Sequence, residues 1–306
     1  MLSLAVRQSV RGARHLSTAV RTPASIKAVG VVGSGQMGTG IGLVAARVAK
    51  VPVFLYDKNP VQLKAAVKFM DTLIAKDIAK GKLTVAEGEQ VKGRIATTDD
   101  LAALGHTNFV IEAATENTAL KLDIFRQLGE ATHSDTILAT NTSSISVTKI
   151  AAATQKPDKV IGMHFMNPVP VMKLVEIIPG LATSDATLAL TKQLAEAMGK
   201  TCTTSQDMPG FIANRLLMPY INEAVFCLGE GTATREDIDT TMKLGTNTPM
   251  GPLTLADFIG LDTCLAIMRV LYAELGDSKY RPAPLLVNYV AAGWLGKKSG
   301  RGFYEY

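Results

Sequence analysis

The chain has four histidines, and their settings differ. His15 lies in a basic leader, His106 in a polar loop before an apolar run, and His133 in the helix-end turn Ala131-Thr132-His133-Ser134-Asp135. His164 closes the apolar run Val160-Ile161-Gly162-Met163, which puts it at the carboxyl end of a predicted strand, the edge where open α/β sheets bind ligands. Histidine is the side chain whose ordinary pKa suits proton transfer near neutrality. Glu176, inside Leu174-Val175-Glu176-Ile177-Ile178, is an acid in an otherwise apolar strand. Buried unpaired it would cost several kcal/mol, so it needs a partner. The turn-forming insert Asn167-Pro168-Val169-Pro170 separates the two strands and lets His164 and Glu176 meet. In such a pair the carboxylate orients the imidazole and raises its basicity, equipping it to take a proton from an alcohol. From the residues alone, a structural histidine and a general base are equally open readings.

A second chemical signal precedes this pair. Val29-Gly30-Val31-Val32-Gly33-Ser34-Gly35-Gln36-Met37-Gly38 reads as a strand running into Gly-x-Gly-x-x-Gly and then a helix that ends near Lys50. Gly33 permits the tight turn, Gly35 lets the backbone approach a pyrophosphate, and Gly38 allows the helix to pack on the strand. The helix start offers unpaired N–H groups and a positive dipole end to phosphates. The next strand ends at Asp57, at the spacing where a carboxylate accepts hydrogen bonds from both ribose hydroxyls and repels a 2′-phosphate, which favours NAD over NADP. Lys58 beside it weakens that repulsion.

These groups need a frame of alternating strands and helices. Short apolar runs at Ala28 to Val32, Val51 to Tyr56, Phe109 to Ala113, Ile137 to Ala139, Val160 to His164 and Leu174 to Ile178 predict a parallel, doubly wound sheet with helices filling the gaps. Asn59-Pro60 marks one helix start, and the capping box Thr84-x-x-Glu87 marks another. From Pro209 the strand signal ends. Phe211 to Gly229, Arg235 to Leu244, Leu253 to Leu275 and Pro284 to Ala292 all read as helices. The expected units are a leader at 1–25, a nucleotide-binding α/β unit at 26–207 and a helical unit at 208–306.

With 306 residues, 47% hydrophobic and 19% charged, the chain can bury substantial cores and is neither a disordered tail nor a collagen-like polymer. Its longest apolar runs fall well short of the roughly 18 residues needed to cross a bilayer, so no membrane insertion is expected. Arg7, Arg11, Arg14 and Arg21 in the acid-free leader account for all but one of the +5 formal charges. The near-neutral remainder gives no reason to expect a nucleic-acid partner. A leader rich in Arg, Ser, Ala and Val, with Leu2, Val6 and Val10 on one side of a helix and Arg7, Arg11 and Arg14 on another, has the composition of a mitochondrial transit peptide; a plain basic tail is the alternative. Arg14-His15-Leu16-Ser17 resembles a matrix-protease site. Cys202, Cys227 and Cys264 are widely separated and odd in number, which points to buried thiols in a reducing compartment and to neither a disulfide frame nor a metal site.

Gly33-Ser34-Gly35-Gln36-Met37-Gly38, Asn141-Thr142-Ser143-Ser144, the segment from His164-Phe165-Met166-Asn167-Pro168 to Glu176, Pro209-Gly210-Phe211-Ile212-Ala213-Asn214-Arg215 and Gly300-Arg301-Gly302-Phe303-Tyr304 together resemble the 3-hydroxyacyl-CoA dehydrogenase family, short-chain 3-hydroxybutyryl-CoA members included. The likeness runs from about Lys27 to Tyr306. It implies an α/β fold: a Rossmann-like doubly wound sheet followed by an all-α C-terminal domain. It also implies NAD-dependent oxidation of an L-3-hydroxyacyl-CoA to the 3-keto thioester in fatty-acid β-oxidation or butyrate metabolism. His164 would be the general base and Glu176 its electrostatic partner, with Ser143 and Asn214 bonding the substrate near its reacting oxygens. Gly33, Ser34, Gly35, Gln36, Met37 and Gly38 would hold the pyrophosphate and Asp57 the adenosine ribose. Glu116, Lys121, Ser143, Asn167 and Lys298 would complete the cofactor shell. Thr72 and Lys80 would contact coenzyme A, on a helix whose Lys64, Lys68, Lys76 and Lys80 span an arc of about 160° that equally suits a solvated face.

The family likeness further implies a homodimer through the helical half. The many apolar residues between Leu253 and Leu271 serve either that contact or a deep internal core. Met166 departs from the family's usual second Phe, and Thr246-Asn247-Thr248 from a more glycine-rich stretch, which bears on the acyl pocket. Two other readings share the architecture: a β-hydroxyacid dehydrogenase acting on a free acid, and a non-catalytic lens-protein-like relative that keeps the nucleotide fold.

Overall fold

The computed structural model describes residues 25–306, so all but the last residue of the expected leader lies outside it. The α/β half begins with β1 (Val29–Val32), α1 (Gln36–Val44, continued by a π-helical turn over Ala45–Ala49) and β2 (Val53–Tyr56). An excursion of α2 (Pro60–Ala79) and α3 (Val85–Gly93) returns to β3 (Ile95–Thr98) and β4 (Phe109–Glu112). Then follow α4 (Thr118–Ala131), β5 (Ile137–Thr140), α5 (Val147–Ala151), β6 (Val160–Phe165), β7 (Leu174–Pro179), α6 (Asp185–Ala197) and β8 (Thr201–Thr204). The helix starts are chemically marked as expected: Asn59 accepts from Val61 N–H with Pro60 after it, and Thr84 and Glu87 form a reciprocal capping box.

The eight strands lie in the order β3-β2-β1-β4-β5-β6-β7-β8. From β1 the chain adds strands first on one side, β2 and β3, and then on the other, β4 and β5, and this switch point opens a crevice at the carboxyl ends of β1 and β4. Contrary to the parallel sheet expected from the sequence, the sheet is not wholly parallel, because the tight turn after β6 makes β7 antiparallel to it; only a connection of helical length permits a parallel neighbour. It also carries β3 and β8, which lack an apolar run. Both lie at sheet edges and are largely exposed, so burial does not demand one. His106 ends a short 3-10 helix over Leu101–His106, not a loop.

The second half is helical: α7 (Ala213–Gly229), α8 (Arg235–Gly245), α9 (Pro252–Ile259), α10 (Leu261–Leu275) and α11 (Pro284–Ala291). The long helix expected over Leu253 to Leu275 is two, broken at Gly260, whose φ of 104° no helical residue adopts. Leu253, Leu261, Leu265, Ile267, Met268 and Leu271 all point into the core of this half, so most of the apolar surplus is internal. The three cysteines are free, Cys264 buried and Cys202 and Cys227 only partly so. Burial pushes the thiols of Cys202 and Cys264 up to about 11 and about 12, which leaves them protonated and unreactive near neutrality. No described helix is long and apolar enough to cross a membrane.

Candidate active site

The antiparallel register of β6 and β7 sets His164 directly opposite Glu176. His164 Nδ1 lies 2.8 Å from Glu176 Oε2, and the residues are 8% and 1% exposed. The carboxylate's other oxygen, Oε1, accepts the N–H groups of Ile212 at 3.0 Å and Ala213 at 2.9 Å, the first turn of α7. Burial alone would raise the pKa of Glu176. The hydrogen bonds from His164, Ala213 and Ile212 and the proximity of the imidazole outweigh it and hold the carboxyl below its usual range. Nδ1 is thus committed to an ionised carboxylate, leaving Nε2 as the ring nitrogen open to a reactant. The ring of Phe211 meets the imidazole edge-on, centroids 5.8 Å apart.

Asn141, just past the end of β5, accepts the Phe165 N–H at 2.8 Å and ties the segment Asn141 to Ser144 to the end of β6. Glu116, from the loop before α4, is the hub of that segment's hydrogen bonds. Its Oε1 accepts from Thr142 Oγ1 at 2.5 Å, from Ser143 N–H at 2.8 Å and from Ser144 N–H at 3.1 Å. Burial pushes the Glu116 carboxyl up, but Lys121 and these donors together hold it below its usual range. Asn214 at the start of α7 donates from Nδ2 to the Ser143 carbonyl at 3.3 Å. Four sequence-predicted residues, His164, Glu176, Ser143 and Asn214, are therefore connected through the start of α7.

The dinucleotide loop has the expected geometry. A Cβ on Gly38 would lie 1.8 Å from the Gly33 carbonyl oxygen, and Gly33 itself adopts φ 96°. At Gly35 a Cβ would meet nothing, so the backbone borders open space where a pyrophosphate fits, and Gln36 and Met37 follow in the first turn of α1. Asp57, just past β2, accepts the N–H and hydroxyl of Ser34, both at 2.8 Å. Burial works to raise its pKa, yet hydrogen bonds from Ser34 and Asn59 and the Lys58 charge bring it down, and an ionised acceptor is what a ribose diol needs. These residues fit a bound NAD.

The remaining predicted contacts are placed less directly. Lys121 is 1% exposed; its ammonium lies 2.6 Å from Glu112 Oε1 and 3.5 Å from Glu116 Oε2, so it braces Glu116 from within. Asn167 is exposed at the start of the β6–β7 turn. Lys298 is in the helical half, its Nζ 2.7 Å from Asp262 Oδ2. Thr72 and Lys80 are exposed on α2 and just past its end, and Thr72 bonds its own helix at the Lys68 carbonyl. They do not line the cleft between α2 and β3, which has Lys64 and Lys68 on its wall. Sequence reasoning passed over Glu112, which accepts from Lys121 Nζ at 2.6 Å, Thr140 Oγ1 at 2.7 Å and Ala114 N–H at 2.7 Å. The signal is close to that at Glu176, an acid in an otherwise apolar strand, here at the strand's last position. Among the described residues no group of three or more His, Cys, Asp or Glu is arranged to hold a metal.

A doubly wound sheet with a glycine-rich first turn, a ribose-binding acid and a His–Glu pair beside a helical half defines an NAD-dependent dehydrogenase. Residues 28–208 match the NAD-binding domain of 3-hydroxyacyl-CoA dehydrogenase, and residues 210–306 match its C-terminal domain. The chain belongs to the 3-hydroxyacyl-CoA dehydrogenase family. It is 56% identical over 281 residues to a probable 3-hydroxybutyryl-CoA dehydrogenase of Bacillus subtilis, covering 92% of this chain and 98% of that one. It is 39% identical to the human mitochondrial hydroxyacyl-coenzyme A dehydrogenase, over the whole of both chains. The crystal structure of a (S)-3-hydroxybutyryl-CoA dehydrogenase from Ralstonia eutropha superposes with a TM-score of 0.90 at 49% identity, covering 92% of this chain and 99% of that one.

Proposed function

We propose that this enzyme oxidises short-chain L-3-hydroxyacyl-CoA thioesters, with 3-hydroxybutyryl-CoA as the representative substrate, to 3-ketoacyl-CoA. The single observation that carries this reading is the 2.8 Å His164–Glu176 pair connected to Ser143 and Asn214. Bound NAD would supply the hydride acceptor for C3. His164 Nε2 takes the proton of the C3 hydroxyl, and Glu176, held ionised by the α7 N–H groups, stabilises the imidazolium that results. Ser143 and Asn214 hold the reacting oxygens, Asp57 the ribose, and the Gly33 to Gly38 loop the pyrophosphate. Thr72, Lys80 or the neighbouring lysines of α2 take the coenzyme A phosphate. The bacterial relatives named for 3-hydroxybutyryl-CoA support the short-chain assignment.

The assay follows NADH absorbance at 340 nm with acetoacetyl-CoA, free acetoacetate and an NADPH control. Turnover of the thioester with NADH is expected. Turnover of the free acid alone would assign a β-hydroxyacid dehydrogenase, and binding without turnover a non-catalytic relative.

The enzyme is a homodimer through its helical half, supported by the exposed apolar side chains of Leu216, Leu244, Phe258 and Tyr272; a monomer in gel filtration at micromolar concentration would overturn this. Met1 to Ser25 is a mitochondrial leader, supported by its acid-free, arginine-rich composition, and a native N-terminus at Met1 would overturn that.

A further inference from the structure

Lys200, in the link between α6 and β8, is a buried cation that the proposed chemistry leaves unused. It is 9% exposed, and its Nζ donates to two main-chain carbonyls, Val169 at 2.5 Å and Met172 at 2.8 Å. Burial lowers its pKa, and among the described residues no charged neighbour offsets the shift. Burying an ammonium without a carboxylate is costly, so the geometry it enforces has to matter elsewhere. Both carbonyls belong to the turn that leads from His164 to Glu176.

That turn is gripped from two sides. Its Pro168 carbonyl accepts the N–H groups of Val171 at 3.0 Å and Met172 at 2.9 Å, which closes it locally. On one side Val169 and Pro170 press on α1 at Gly40, where a Cβ would come within 2.9 Å of Val169 Cβ and 3.4 Å of Pro170 Cδ. The N-terminus of α1 is the glycine-rich loop. On the other side stands Lys200, whose own backbone is fixed by Lys200 N–H to Ala195 O at 3.0 Å and by the next residue, Thr201 N–H, to Lys173 O at 2.8 Å. The ammonium therefore links the sheet edge to the turn, and the turn to the dinucleotide helix.

We propose that Lys200 is a positioning residue for hydride transfer: by holding the Val169 and Met172 carbonyls it fixes the turn bearing Asn167 against α1 and keeps the cofactor site in register with His164. The inference rests on the reading that this site takes NAD. Misplacement of reacting groups by about 1 Å costs up to about a hundredfold in rate, so partial loosening of the turn has a measurable effect.

The test uses the full chain and the variants Lys200→Met, which cannot donate, and Lys200→Gln, which keeps N–H donors but on a shorter, uncharged side chain. NADH affinity is read by fluorescence titration, kcat and KM for acetoacetyl-CoA at saturating NADH, and Tm by calorimetry. Lys200→Met is expected to weaken NADH binding and lower kcat by about tenfold each, with KM for the thioester within about twofold, and Lys200→Gln to fall between. A drop in Tm with NADH affinity and kcat unchanged in either folded variant would make Lys200 merely structural and overturn the proposal. If Lys200→Met does not fold, Lys200→Gln decides by the same criteria. Failure of the unaltered chain to bind NADH would instead overturn the functional reading on which the inference rests.

Discussion

Glu176 and Ala213 lie in different halves of the chain, yet Glu176 Oε1 accepts the Ala213 N–H at 2.9 Å while Oε2 holds His164 at 2.8 Å. One carboxylate both orients the imidazole and caps the first helix of the helical half. A helix N-terminus favours an anion, so seating α7 on the sheet keeps the partner of His164 charged. Docking of the two halves and preparation of the proposed base are thus a single arrangement.

Replacing His164 by Gln keeps a polar side chain of similar reach but no proton acceptor of suitable basicity. Turnover of acetoacetyl-CoA is expected to fall by about two orders of magnitude or more, with NADH affinity nearly intact by fluorescence titration. A loss below about tenfold would remove His164 from the role of base.

The depressed pKa of Glu176 also gives stability a pH dependence with a defined sign. Its folded-state pKa lies below the ordinary 4.5. Its contribution is therefore complete above that value and is lost as pH falls through the folded pKa. Asp57 and Glu116 shift the same way, so comparison with Glu176→Gln isolates the single group. Denaturant unfolding from about pH 6 to about pH 3 is expected to show the gap between the two proteins narrowing towards acid. A constant gap would mean that the His164 and α7 contacts do not stabilise the charged form.

Asp57→Ala removes the only acid at the end of β2 and leaves Ser34 without its acceptor. Weaker NADH binding and reduced discrimination against NADPH are expected, because the carboxylate no longer bonds the diol or repels a 2′-phosphate. Unchanged titrations with both nucleotides would show that the ribose is held elsewhere.

The parts of the site legible in the sequence are those built from contiguous residues. The Gly33 to Gly38 loop and the β6-turn-β7 unit that pairs His164 with Glu176 each need only a local pattern of apolar runs and turn residues. The edge strands β3 and β8 were illegible because exposed edges carry no apolar signature, and the break at Gly260 because an apolar run continues across it. The contact between Glu176 and the Ala213 N–H was also hidden. It joins main chain to side chain across 37 positions, and neither partner announces it by residue type. The Lys200 clamp escaped for the same reason, since its acceptors are carbonyls that every residue possesses.

Phe211 supplies the sharpest remaining test, because its backbone and its side chain pull in opposite directions. Its φ of 49° lies in the left-handed region, which costs a non-glycine residue about 1–2 kcal/mol, yet the residue is only 4% exposed and its ring packs on the His164 imidazole. Gly210 before it, φ 77°, makes a pair of left-handed residues that turns the chain so that Ile212 and Ala213 aim their N–H groups at Glu176. Phe211→Ala loses the ring and keeps the strain, whereas Phe211→Gly loses the ring and removes the strain. Both variants are therefore expected to be less stable than the unaltered chain, by about 3–5 kcal/mol for Ala, with the Gly variant the more stable of the two by about 1 kcal/mol. Both should lose kcat through the freed imidazole while NADH affinity holds. Calorimetry that ranks Ala above Gly would show that the turn is unstrained in solution, and an unchanged kcat would show that the ring is a core residue only.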